Sequence, residues 1–145
     1  MTKITLTIIA LLVASGLILS ACASRGTSPS LAGTSWKLVS YGPVGKQIPA
    51  TPGIKTSLGF GADGKVSGNV GCNQFSGNYE VKEGKIIFGL LASTLMACSE
   101  PQMTQESTSF QLMTGTVSFE VKGNTLAIYD ASDGISIKFS GVENK

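Results

Sequence analysis

Val117-Ser-Phe-Glu-Val-Lys-Gly-Asn-Thr-Leu-Ala-Ile-Tyr-Asp-Ala-Ser-Asp-Gly-Ile-Ser-Ile-Lys-Phe-Ser140 decides the fold class. Val117, Phe119 and Val121 alternate with Ser118, Glu120 and Lys122, the period-2 pattern of a strand buried on one face. Gly123-Asn124 turns the chain, Leu126 and Ile128 alternate with Ala127 and Tyr129, and Asp133-Gly134 turns it again. Ile135, Ile137 and Phe139 then oppose Ser136, Lys138 and Ser140. Alternation this regular, with such short connections, predicts an antiparallel meander with one wet face.

The pattern continues upstream. Thr56, Leu58 and Phe60 share a face, Asp63-Gly64 is a hairpin turn, and Val66, Gly68 and Val70 return. Asn78 to Lys82 pairs with Lys85 to Phe88 around Glu83-Gly84. Ser35 to Tyr41 opens the series, with Trp36, Leu38 and Ser40 opposite Lys37, Val39 and Tyr41. Gly42 to Gly53 carries three prolines and is expected to be a loop or irregular edge. A single helix is expected after Ser99, with Ser99 as cap, Pro101 in the first turn and Gln102 closing a capping box. Met103, Ser107, Phe110 and Met113 would form its inward stripe. About eight short strands and one helix predict a mainly β domain: a small antiparallel β-barrel-like fold. Its core would be filled by residues such as Trp36, Phe60, Phe119 and Phe139.

The chain has 145 residues, 14% charged against a usual 25% or so, and a formal net charge of +2. No basic stripe is present to follow a phosphate backbone, so nucleic acid is not an expected partner. The chain contains no histidine, which removes Ser-His and Cys-His catalysis and His-ligated zinc. Residues 1–21 read as a lipoprotein signal peptide: Lys3, an uncharged apolar run, then Leu19-Ser20-Ala21-Cys22, a lipobox. Cleavage is expected between Ala21 and Cys22, with Cys22 lipidated. Residues 22–30 are small and polar, a tether, and residues 31–145 form the domain. Ala23 replaces the Asp that would favour inner-membrane retention. The expected address is therefore the bacterial envelope, lipid-anchored at the outer membrane and facing the periplasm.

Lipidation of Cys22 leaves Cys72 and Cys98, which an oxidising compartment would pair as a structural disulfide. Two buried thiols are the alternative; a reactive thiol would lack a histidine base, and a metal site would need more ligands. No metal or cofactor is expected. Gly59-Phe-Gly-Ala-Asp-Gly64 spells GxGxxG, but a strand rather than a helix follows it, so it reads as a hairpin. Glu80, Glu83, Glu100, Glu106, Glu120, Asp130, Asp133 and Glu143 read mostly as solvated carboxylates at turns and outward positions. Asp130 and Asp133 lack the oxygen density of a calcium loop.

Gly71-Cys72-Asn73-Gln-Phe75-Ser-Gly77-Asn-Tyr79 carries a resemblance to the META/HslJ-like domain of bacterial envelope lipoproteins. Leu31-Ala-Gly-Thr-Ser-Trp36, Leu58-Gly-Phe60, Val66-Ser-Gly68, Thr94-Leu-Met96-Ala-Cys98, and Glu106 with Phe110 extend it over about residues 31–140. The resemblance implies one compact β-rich domain with a helix and places Cys72 near Cys98. It implies association with heat shock and novobiocin resistance, and no enzymatic activity. Gly71, Asn73, Phe75, Gly77, Tyr79, Thr94 and Met96 are then structural motif residues, Asn73 being expected to bond nearby backbone at a turn. The expected function is that of a non-enzymatic, monomeric, stress-linked module binding an envelope protein. The alternatives are an inhibitor of lysozyme or an envelope protease, acting through a rigid loop such as Gly42 to Gly53, and a binder of a small apolar ligand.

Overall fold

The computed structural model describes residues 29–142. Ten strands and one helix follow in the order β1 (Thr34–Pro43), β2 (Ile48–Pro49), β3 (Ser57–Phe60), β4 (Lys65–Asn69), β5 (Gln74–Lys82), β6 (Lys85–Phe88), β7 (Ala92–Ser93), α1 (Gln102–Gln111), β8 (Gly115–Lys122), β9 (Thr125–Asp130) and β10 (Ile135–Gly141). Every pairing is antiparallel. The sheet runs β1-β3-β4-β5-β6-β8-β9-β10 and returns to β1, an eight-stranded closed barrel, while β2 extends along β1 and β7 along β5. Closure removes the free edges that an open sheet of this length would expose.

The inward residues are those the alternation selects. Leu58, Phe60, Val66, Ile86, Leu126, Ile128, Ile137 and Phe139 are buried, and they meet in one core with Trp36, Leu38 and Phe75. Tyr79 packs edge-on against Phe60 with ring centroids 4.8 Å apart. The interior is thus filled by side chains, as small barrels require.

Strand β1 departs from simple alternation. Leu38 pairs with Phe139 and Ser40 with Lys138, so Val39 is an extra residue, a bulge. The bulge reverses the faces beyond it: Tyr41 is buried and Ser40 only partly so, the opposite of their expected placement. The Gly42 to Gly53 segment contains β2, which lies along Ser40 and Tyr41.

The helix begins later, and faces differently, than its sequence suggests. Pro101 occupies the N-cap position and no side chain caps the helix, so Ser99 does not close a capping box. The Glu100 carboxylate instead accepts hydrogen bonds from the Thr104 N–H and hydroxyl. Ser107 is exposed and Met103 only half-buried; the buried helical residues are Gln105, Glu106 and Ser109, followed by Leu112 and Met113. A helix with a polar inner face must find partners for that face. Gln105 and Glu106 find them at the barrel's mouth, and the Ser109 hydroxyl donates to the Gln105 carbonyl within the helix.

Candidate functional site

The mouth is built where β4 ends and β5 begins. Gln105 donates through Nε2 to the Val70 carbonyl (2.6 Å) and accepts through Oε1 from the Thr51 N–H (2.6 Å), tying the helix to two loops. One residue on, the Glu106 carboxylate accepts from the Cys72 N–H (2.7 Å) and from the Asn73 N–H through Oε2. Its Oε1 accepts from Asn73 Nδ2 (2.7 Å). Consecutive backbone N–H groups aimed at one carboxylate form a small anion nest, occupied here by the protein's own side chain. Close approach is a condition of the arrangement. A Cβ on Gly71 would stand 2.6 Å from Glu106 Cβ and 2.7 Å from the Gln102 carbonyl oxygen. On Gly77 it would stand 2.5 Å from Leu91 Cδ2.

Asn73 relays this order to a distant loop. Its Oδ1 accepts from the Thr94 hydroxyl and from the Met96 N–H, both at 2.8 Å, and Nδ2 also donates to the Met96 carbonyl at 3.3 Å. All four hydrogen-bonding positions of the amide are occupied. Partners that can only donate or only accept fix its orientation. Asn73 therefore does not serve nearby backbone at a turn, as its sequence setting suggests. It joins segments more than 20 residues away, from Thr94 to Glu106. Thr94 adds an N–H bond to the Gln74 carbonyl and accepts from the Gln74 N–H. Cys72 and Cys98 are joined in a disulfide, Cα–Cα 6.1 Å, closing the same loop from its other end.

The segment held this way is Gly89 to Ser99, which has no charged residue. Leu90 and Leu95 are each 95% exposed and Met96 54%. Beside it lies a mostly apolar groove of about 430 Å³, lined by Phe88, Leu90, Leu91, Phe110 and Gly115 together with Ser93 and Thr114. Phe110, which lines the groove, packs edge-on against Phe75, 5.6 Å between centroids.

Of the motif residues, Gly71, Cys72, Asn73, Phe75, Thr94, Met96 and Cys98 meet at the mouth. Gly77 stands beside the groove wall, and Tyr79 lies further along β5, donating its hydroxyl to the Gly61 carbonyl. Burial, and secondarily the charge of Asp63, raises the Tyr79 pKa above its usual value. Glu106 is the residue the sequence misplaces: it is buried, not solvated. As the only charge within α1 it carried a signal of its role. Gln105 gives no signal in sequence, because it is one polar residue among several in Gln102–Gln111; Leu95 is visible only as a member of the Thr94–Cys98 motif, which says nothing of its exposure. The Gly59–Gly64 motif is the β3–β4 hairpin. Asp130 is occupied locally, accepting from the Ser132 hydroxyl and N–H, which hold its carboxyl below the usual range. Ala21 and Cys22 lie outside the described residues.

A closed eight-stranded barrel lidded at one mouth by a helix, with a Gly-Cys-Asn corner bridged to a Met-Ala-Cys loop, defines a class of small β domain. The sequence matches the META domain family over residues 29–141, and the chain belongs to that family. A search of curated proteins finds no match. Among solved structures, an NMR structure of a protein from Burkholderia xenovorans shares 22% identity at a TM-score of 0.66, covering 88% of this chain and 100% of its own. A second NMR structure shares 23% identity at 0.61, covering 79% and 93%. A crystal structure of a DUF4847 family protein from Bacteroides vulgatus shares 13% identity at 0.55, covering 79% and 96%. These likenesses establish the fold.

Proposed function

We propose that this META-domain protein is a lipid-anchored envelope protein that works by binding another protein, without chemistry of its own. One observation carries the reading: an uncharged segment, Gly89 to Ser99, displays two leucines almost fully to solvent on a locked scaffold. Apolar side chains held out by a disulfide and a saturated hydrogen-bond network are what a recognition surface needs. The polar side chains of the mouth, Asn73 and Glu106, are bonded to each other and to Cys72, Thr94 and Met96. The anchor and the outer-membrane, periplasm-facing address rest on the Leu19–Cys22 lipobox and Ala23. The link to envelope stress rests on the family resemblance alone.

Crosslinking and capture from intact envelopes, with the oxidised lipidated chain as bait and Cys22→Ser as control, tests this reading. One stoichiometric protein partner, lost with Cys22→Ser, is the expected result. Turnover of peptidoglycan or ester substrates by the purified protein at enzymatic rates would overturn it. The groove beside Phe110 favours a second reading, binding of a small apolar molecule, but on the outer surface, since the barrel interior is filled. Capture of a lipid-like molecule and no protein would select it.

A further inference from the structure

Leu95 stands in an unusual position. Both of its neighbours are clamped inward by one side chain: the Thr94 hydroxyl and the Met96 N–H converge on Asn73 Oδ1, and the Met96 carbonyl accepts from Asn73 Nδ2. Leu95 itself is 95% exposed, and its own N–H and C=O make no hydrogen bond among the described residues. Upstream the segment continues β7, paired to β5; downstream it is fixed at Cys98 by the disulfide. No helix or turn is formed from Thr94 to Cys98. Clamped flanks, a free backbone unit and a fully presented apolar side chain are what an endopeptidase cleft accepts: strand-like backbone bonds to the enzyme and one side chain in its primary pocket.

Resting on the protein-binding reading above, we propose that Thr94–Cys98 is a substrate-like inhibitory loop for a serine endopeptidase with an apolar primary pocket, which Leu95 fills. The geometry also explains why the loop would resist turnover. Attack by the enzyme's serine Oγ on the Leu95 carbonyl carbon forms an ester to Leu95 and frees the Met96 amine, which takes up the serine's proton. Met96 stays held by Asn73 through its carbonyl and by the nearby disulfide, and Thr94 stays on Asn73 Oδ1. The freed amine therefore remains where it can attack the ester, restoring the amide and returning the proton to the serine. The Gly42 to Gly53 segment is laid along β1, with Gln47 bonded to Ser136, and presents no comparable clamped unit.

The test uses the full oxidised chain in mild detergent, assayed with small chromogenic substrates. The chain is expected to inhibit chymotrypsin, and Leu95→Asp to weaken that inhibition by roughly 100-fold, as for a central hot-spot side chain. Leu95→Arg should transfer inhibition to trypsin. Asn73→Ala should still bind but be cut at Leu95–Met96 roughly tenfold faster or more, because the preorganised flanks are lost. If Asn73→Ala does not fold, the Leu95→Arg transfer still decides. Folded chain and Leu95→Arg that inhibit neither enzyme, or rapid cutting of the native loop, would overturn the proposal. So would Leu95-dependent binding to phospholipid vesicles in place of inhibition. An envelope partner captured equally by native chain and Leu95→Asp would remove the loop from the interaction while leaving the protein-binding reading intact.

Discussion

Phe139 and Asn73 are both withdrawn from solvent, yet packing against other core side chains holds the first and four hydrogen bonds hold the second. The same contrast separates β8–β10 from the mouth. The meander joins neighbours in sequence by apolar alternation, each strand pairing with the next. The mouth joins residues 70–73, 94–98 and 105–106, distant in sequence, by polar groups and a covalent bond. A packed core tolerates volume-conserving swaps, whereas a buried polar network leaves a group unsatisfied when any one member is lost. The difference suggests a division of labour. The meander keeps the barrel closed, and the mouth sets the position of one loop.

The comparison can be broken most forcefully in the barrel. Phe139→Ala removes a fully buried ring and should cost about 3–5 kcal/mol, lowering the denaturation midpoint for every probe at once. Replacing both Cys72 and Cys98 by Ala should cost about 3–4 kcal/mol through the entropy of the opened loop. Unlike the first change, it should selectively raise proteolysis between Leu90 and Ser99. Glu106→Gln places an NH₂ against Asn73 Nδ2 or against the two backbone N–H groups, whichever way it turns. The expected cost is about 1–3 kcal/mol for the unsatisfied donors. A double-mutant cycle of Glu106→Gln with Asn73→Ala should show coupling of about 0.5–3 kcal/mol, and the same cycle with Phe139→Leu near additivity.

The smallest effect belongs to Asp130. The Ser132 hydroxyl and N–H hold its folded-state pKa below the ordinary value of about 3.9. A lowered folded-state value means that the contribution is complete above the unfolded value and is lost as pH falls through the folded one. Asp130→Asn should therefore leave Tm at neutral pH almost unchanged and slightly flatten its decline below about pH 4, as read by thermal melts across pH.

Most of the barrel was legible because alternation is a local signal: hairpin turns at Asp63-Gly64, Glu83-Gly84 and Gly123-Asn124 delimit strands whose inward faces are visible residue by residue. Tyr41 escaped this logic, since one extra residue in β1 reverses the faces and a bulge leaves no mark in an alternating pattern. The helix is visible in the sequence, but its inner face is not. Periodicity ranks apolar residues inward, whereas α1 turns Gln105 and Glu106 inward to meet backbone groups at the mouth, with Ser109 satisfied on the helix's own Gln105 carbonyl. The motif around Asn73 was visible as a motif. Its bonds to Thr94, Met96 and Glu106 were not, because they follow from tertiary proximity alone.

Native-state hydrogen exchange at the Met96 amide tests the central claim most directly. This N–H donates to the Asn73 side chain from a segment that is otherwise exposed. In the oxidised native chain it should be protected well above its neighbour Leu95. In Asn73→Ala that protection should fall by roughly 100-fold or more, as a local opening no longer has to break this bond, while the β8–β10 amides keep theirs. An unprotected Met96 in the native chain, or equal loss across β8–β10 in the variant, would contradict an account in which Asn73 holds the loop independently of the barrel.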